Sequence, residues 1–324
     1  MVMNLRALAD AALEAPIVTS FTNIGYSARR RLDDWTPLDE YDLSGRVVVV
    51  TGATSGLGRS AAESFARLGA TVVCVGRNAD RNQTVVDEIT AATSNEQVSQ
   101  IPCDMGDLDQ VRALADAITD RFDRLDVLAH NAGALSDERR EASNGIEQTI
   151  ASQVVGPFLL THLLLDLLAE SAPSRVITMS SGGMYAAGLT VSQLEMTDED
   201  YNGTEQYARA KRAQVTLNET LAERYGDRGI SFQAMHPGWA DTPGVEEALP
   251  TFRKVVGPFL RTAEQGADTL VWLASDEAPL EHNGAFWLDR RRRSIHKLPT
   301  TRRTDTPERR QKLWDWVSEA AATD

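Results

Sequence analysis

The 324-residue chain is 42% hydrophobic, 25% charged and 6% aromatic. This excludes a disordered chain or a small cross-linked scaffold, and the length suffices to bury roughly 75% of the surface that the unfolded chain exposes. The 33 Lys+Arg against 47 Asp+Glu leave a net charge of -14, which argues against a protein that coats nucleic acid or an anionic membrane with its whole surface. Cys74 and Cys103 lie in apolar runs outside any metal-ligand spacing and read as buried, reduced thiols of a cytoplasmic protein.

Residues 1–45 read as an N-terminal extension. They lack the basic, apolar and small-residue succession of a secretory signal. Leu5, Leu8, Ala12 and Leu13 recur at helical spacing, and Arg29, Arg30 and Arg31 follow. We read a helix docked on the domain surface, in preference to a membrane-surface anchor. The most apolar stretch, 154–168, is interrupted by Gly156, Pro157, Thr161, His162 and Asp166, as befits a buried helix rather than a membrane span.

Strand and helix then alternate. Short β-branched or apolar runs predict strands over 47–50, 71–75, 98–102, 125–129, 175–179, 230–235 and 285–288. Helical periodicity predicts helices over 57–68, 80–90, 108–118, 146–169, 206–225 and 262–273. Strands joined by crossover helices require a parallel sheet. The expectation is one α/β domain over 46–290, a Rossmann-type doubly wound parallel sheet of about seven strands with helices on both faces. A basic tail over 291–324, ending in a helix, follows. The stretch 290–312 holds ten Lys+Arg against two Asp+Glu and reads as solvated.

Between the first strand and first helix lies Thr51-Gly52-Ala53-Thr54-Ser55-Gly56-Leu57-Gly58. Glycines there permit a tight turn, let a pyrophosphate approach the backbone and bring the helix close to the sheet; the helix N-terminus offers free N–H groups to phosphate. The cradle therefore predicts dinucleotide binding through Gly52, Thr54, Ser55, Gly56, Leu57 and Gly58. After the second strand, Arg77 stands where NAD enzymes place a carboxylate, so NADP(H) is favoured over NAD(H).

The TGxxxGxG spacing resembles the short-chain dehydrogenase/reductase family. Further motifs follow in the family's order: Asp104, with Met105 after it; Asn131-Ala132-Gly133; Ser181 in a Ser-Ser-Gly-Gly run; Tyr207 and Lys211 as YxxxK; and Pro237-Gly238 with Thr242 as PGxxxT. The resemblance implies that Asp104 contacts adenine, that Asn131-Ala132-Gly133 supports the adenosine end, and that Thr242 holds the nicotinamide carboxamide. The runs 181–184 and 236–245 are similar to the subgroup called dehydrogenase/reductase member 12. The 26-residue interval from Ser181 to Tyr207 is similar to that of retinol-dehydrogenase-like members.

On a helix, Tyr207 and Lys211 project from one face. A nearby ammonium favours the phenolate, so the expectation is a Tyr207 phenol lowered from its usual ~10, able to exchange a proton with a substrate oxygen. Ser181 can hydrogen-bond the same oxygen while hydride moves to or from nicotinamide. Where the family carries an asparagine that shapes a helix kink and a proton relay, this chain has Gln153, whose amide sits one methylene farther out.

Val245, Leu249, Phe252, Val256, Phe259 and Leu260 form a helical stripe in the segment that covers the substrate cleft in this family, and Met184, Tyr185 and Trp239 lie near by motif position. An apolar alcohol or carbonyl substrate is expected, with no nucleic-acid partner, no metal and no transmembrane segment. A homo-oligomer stays open. The alternative function is a catalytically silent NADP(H)-binding sensor or scaffold; an epimerase or dehydratase fits the glycine spacing less well.

Overall fold

A computed structural model of the protein describes residues 5–248 and 250–323. Three short helices come first: α1 (Leu5–Glu14), α2 (Ile17–Phe21) and α3 (Asn23–Leu32). The alternating region follows with β1 (Val47–Thr51), α4 (Gly56–Arg67), β2 (Thr71–Gly76), α5 (Ala79–Thr93), β3 (Val98–Pro102), α6 (Leu108–Arg121) and β4 (Val127–His130). Next come α7 (Gln148–Ile150), a π-helical turn over Ala151–Val155, α8 (Gly156–Leu163), α9 (Leu165–Glu170), β5 (Ser174–Met179), α10 (Gly203–Tyr225) and β6 (Ile230–Met235). The chain closes with α11 (Pro243–Ala248), α12 (Pro250–Val256), α13 (Ala263–Ser275), β7 (Phe286–Leu288), β8 (Arg291–Arg292), α14 (Pro299–Thr304) and α15 (Pro307–Ala321).

The described residues build one sheet in the order β3-β2-β1-β4-β5-β6-β7-β8. It has eight strands rather than about seven. The first seven are mutually parallel, whereas β8 returns antiparallel beside β7. Only two residues long and both arginine, β8 carries no apolar alternation by which sequence periodicity could reveal it. Its turn is made by Asp289 and Arg290, each at a φ of 54°.

Alternation along the central strands feeds two apolar layers. Val47 and Val49 of β1 point to one layer with Val73 and Val75 of β2; Val48 and Val50 point to the other with Val72 and Cys74. The first layer is covered by α6, α8, α10 and α15, the second by α4, α5 and α13. Cys74 and Cys103 are free, and burial pushes both thiols up to about 12. Among the described residues, no helix is long and apolar enough to cross a membrane.

The helix expected over 146–169 is interrupted. Pro157 has no N–H to give the carbonyl four residues earlier, that of Gln153. That carbonyl instead accepts from the Gln214 side chain of α10 at 2.6 Å, and the backbone passes through the π turn.

The basic stretch is solvated only in part: Arg292, Arg302, Arg303 and Lys312 are exposed, whereas other cations are paired. Arg290 binds Asp268; Arg291 binds Asp33 and Asp10; Arg293 binds Asp10; Lys297 binds Glu14; Arg310 binds Asp305 and Glu219. The acidic partners Asp10, Glu14 and Asp33 come from the N-terminal helices, so the two ends of the chain neutralise one another. Arg29 is fully buried, donating to Asp10, Glu14 and Asp289. Asp289 also receives the buried Arg261. Burial favours raising the Asp10 carboxyl, but hydrogen bonds and charge from Arg293 and Arg29 outweigh it and hold Asp10 well below the usual carboxylate range.

Candidate active site

The strand order reverses between β1 and β4, opening the crevice at the carboxyl ends of the strands where open α/β sheets take their ligands. The glycine turn sits at that point. Gly52 and Gly56 adopt φ values of +69° and +53°, in the left-handed region that favours glycine. A Cβ on Gly58 would collide with the Gly52 carbonyl and the Asn131 side chain. Ser55, the residue before α4, makes no side-chain cap to the helix, so the first N–H groups of α4 lack that local acceptor.

The neighbouring elements reinforce this cradle. Asn131 Nδ2 donates to the carbonyls of Thr51 and Gly52 at 3.0 and 3.1 Å, and the Asn131 and Ala132 N–H groups donate to Thr51 Oγ1. A Cβ on Gly56 would come within 3.3 Å of Thr242, which puts the last motif residue against the first glycine turn. A Cβ on Gly76 would lie 2.8 Å from the Thr54 methyl, so the exposed Arg77 stands beside the cradle at the end of β2. Asp104 accepts from the Gly106 N–H at 2.9 Å, and the Met105 carbonyl packs so closely on Gly156 that no Cβ would fit there. These groups present backbone donors, small residues and one cation around a single crevice, the donor set that a dinucleotide phosphate requires.

The second cluster lies where β5 ends. Ser181 caps a short 3-10 turn, its Oγ accepting from the Gly183 N–H at 3.2 Å. From α10, Lys211 sits 5.2 Å from the centre of the Tyr207 ring and donates to the Met179 carbonyl at 3.0 Å. Burial pushes the Tyr207 phenol up to about 12, against an opposing hydrogen bond with Ser181, and pushes the Lys211 ammonium down to about 7. Both directions run against the lowered phenol expected from the YxxxK spacing, because desolvation disfavours both charges.

Gln153 is buried on the π turn. Its Nε2 donates to the Ala134 carbonyl at 2.7 Å, whereas its Oε1 has no partner. A Cβ on Gly133 would lie 2.9 Å from that oxygen and 3.4 Å from Lys211 Nζ, so the amide oxygen and the ammonium approach the same gap beside Gly133.

Other expected positions divide. Pro237 and Gly238 form a turn in which Gly238, at φ +73°, donates its N–H to His236 Nδ1 at 3.0 Å. Met184 and Tyr185 are packed against Phe286 and Ile295 in a closed apolar cluster rather than lining an open cleft; Trp239, at its edge, is only half-buried. The stripe falls on α11, α12 and the segment after them, with Leu260 buried and Phe259 exposed. Leu249 and the side chains of Val245 and Phe252 lie outside the described residues. Sequence reasoning missed Gln214, Arg261 and Phe21, each of which touches a motif residue from a distant element. Of these, only Gln214 had a local signal: Pro157 frees the carbonyl that Gln214 fills.

Comparison with known proteins agrees with this architecture. The family model for short chain dehydrogenase matches residues 46–251. Human dehydrogenase/reductase SDR family member 12 is 36% identical over 305 residues, covering 94% of each chain. Bovine retinol dehydrogenase 12 is 32% identical, over 92% of this chain and 95% of its own length. Among solved structures, a Mycobacterium paratuberculosis protein aligns with a TM-score of 0.70 at 26% identity, over 89% of this chain and 97% of that one. An Escherichia coli short chain dehydrogenase complexed with NADPH aligns at 0.64 and 27% identity, over 79% of this chain and 100% of that one. The chain belongs to the short-chain dehydrogenase/reductase family, oxidoreductases that act on CH–OH or C=O groups with NAD(P).

Proposed function

We propose that this protein is an NADP(H)-dependent oxidoreductase for an apolar alcohol or carbonyl substrate, with Tyr207 as its acid/base. The observation that carries the reading is the convergence of Ser181, Tyr207 and Lys211 at the end of β5, on the same rim of the sheet as the glycine cradle. The bound dinucleotide supplies or accepts the hydride. Gly52, Thr54, Ser55, Gly56, Leu57 and Gly58 hold its phosphates, Asp104, Met105, Asn131, Ala132 and Gly133 its adenosine end, and Pro237, Gly238 and Thr242 its nicotinamide end.

Within that frame, Ser181 hydrogen-bonds the substrate oxygen and Tyr207 gives or takes the proton there. When Lys211 carries its proton, its ammonium beside the Tyr207 ring favours the phenolate and opposes the desolvation of the phenol. Arg77, exposed beside the cradle, can pair with the extra phosphate that distinguishes NADP from NAD. The half-buried Trp239 gives the substrate side an apolar surface.

A second reading, an NADP(H)-binding sensor without turnover, draws on Gln153, whose carbonyl is already held by Gln214. One assay decides between them: oxidation of NADPH and of NADH followed across a panel of aldehydes and ketones. Turnover with NADPH supports the enzyme, and Arg77→Asp then shifts preference toward NADH by roughly tenfold or more, about the worth of one charge-assisted pair. Tight NADPH binding with no turnover on any carbonyl supports the sensor. An unchanged preference in Arg77→Asp removes the phosphate role.

A further inference from the structure

Phe21 is the last residue of α2, and its side chain is 4% exposed. It is buried in the apolar cluster that includes Ala234 of β6 and Phe286 and Leu288 of β7, and there it also lies between two loops of the candidate active site. On one side its ring lies against Gly182, the residue directly after Ser181: a Cβ there would come within 2.6 Å of the ring, so the approach depends on glycine. On the other side the ring meets His236 edge-on at 4.4 Å and Trp239 at 5.8 Å. The Phe21 carbonyl accepts from the Trp239 N–H at 2.7 Å and from Arg261 Nε at 3.0 Å. That carbonyl also abuts Gly238, where a Cβ would come within 2.6 Å of it. One residue thus touches the loop that carries Ser181 with its side chain and the Pro237-Gly238-Trp239 loop with its main chain.

The placement of Phe21 is itself fixed by the charged joint of the two termini. Arg261 donates to the carbonyls of Ser20, Phe21 and Thr22, and Arg29 donates to that of Ser20; both guanidinium groups converge on Asp289. From the C-terminal segment, Lys297 lies 5.3 Å above the Phe21 ring and 5.0 Å from that of Tyr185. The polar groups around this residue are oriented toward holding α2 in one position, and the apolar ring is what they deliver.

We infer that Phe21 is a positioning residue for the reaction: the N-terminal helices use it to set the separation between the Ser181 wall and the Pro237-Gly238-Trp239 wall. This rests on the oxidoreductase reading above. It makes the N-terminal extension part of the active site's support. Misplacing a reacting group by about an ångström costs up to 10²-fold in rate, so loss of one aromatic buttress is expected to be read in turnover before it is read in cofactor affinity.

The test uses the full chain, with Phe21→Ala and Phe21→Leu compared with the parent. NADPH affinity is read by nicotinamide fluorescence, turnover with decanal as probe carbonyl, and amide hydrogen exchange over residues 180–184 and 237–240. The expected result for Phe21→Ala is a kcat down by roughly tenfold, NADPH affinity within about twofold of the parent, and faster exchange in both segments. Phe21→Leu, which keeps apolar bulk, restores most of each. Parental exchange and kcat in a folded Phe21→Ala overturn the proposal, as does exchange that rises evenly through the sheet while kcat and affinity fall together. A parent inert toward decanal and the rest of the carbonyl panel breaks the functional reading alone. The exchange measurement needs no substrate and still supports or overturns the role of Phe21.

Discussion

The half-buried rim around β1 and α4 and the buried joint between the chain termini are held by different physics. At the rim, side chains are small and partners are close in sequence or follow a strand: Asn131 reaches Thr51 and Gly52, and glycines remove the Cβ atoms that would obstruct them. At the joint, Arg29, Arg261 and Asp289 meet across more than 200 residues of chain, each almost fully excluded from water. The difference teaches that a ligand site can be assembled from backbone and space alone, whereas a buried charge must import its counter-charge. Changes at the first region should alter chemistry at little cost in stability, and changes at the second should do the reverse.

The largest expected effect tests the first half of that contrast. Tyr207→Phe keeps the ring and removes the hydroxyl proposed to carry the proton, so turnover should fall by about 10²–10⁴-fold, the usual worth of a general acid or base. NADPH affinity and the melting temperature should stay near the parent's. Parental turnover in this variant would exclude Tyr207 from the chemistry.

Asp289→Asn probes the other region. Asparagine tolerates the left-handed backbone at this position, where φ is 54°, but takes from the buried Arg261 its paired carboxylate and from Arg29 one of three, Asp10 and Glu14 remaining. Chemical denaturation should show a loss of about 3–5 kcal/mol. A loss below 1 kcal/mol would mean that Arg29 and Arg261 are satisfied by their carbonyl acceptors.

Acid should weaken the same joint. Asp10 is held well below the usual carboxylate range in the folded protein. A depressed carboxyl contributes stability that is fully present above its unfolded value and is lost as pH falls through its folded one. Stability measured below about pH 4 should therefore decline, and Asp10→Asn should flatten that decline while lowering stability at neutral pH. An identical acid slope in the variant would remove Asp10 as its source.

The smallest effect sharpens the contrast inside the active site. Gln153→Asn withdraws the unpaired amide oxygen from the gap it shares with Lys211 but leaves the backbone carbonyl bonded to Gln214. We expect a change in kcat of less than about tenfold together with a shifted pH profile, within the range of a single proton-transfer partner. An unaltered rate and profile would show that the side chain of residue 153 is immaterial to proton movement.

Much of the fold was legible because its signals are local. The valine alternation of 47–50 marks a strand buried on both faces, and it is matched by Val72 to Val75 beside it. The glycine turn, Tyr207 with Lys211, and Ser181 were likewise readable as spacing. The arginine pair of β8 was not: an antiparallel strand of two charged residues has no periodicity, and its pairing depends on where β7 ends. The basic stretch over 290–312 was read as solvated because charge runs usually are, and nothing near it in sequence could supply Asp10, Glu14 or Asp33.

By itself, then, the sequence determined the parallel α/β order and the position of the glycine turn at the end of the first strand, since each follows from short-range geometry. The tertiary structure alone decided that Lys211 loses and Tyr207 gains proton affinity through burial, that Gln214 occupies the Gln153 carbonyl, and that Phe21 bridges two loops of the site. These depend on dielectric and on distances between elements far apart in the chain, quantities that no local pattern of residues encodes.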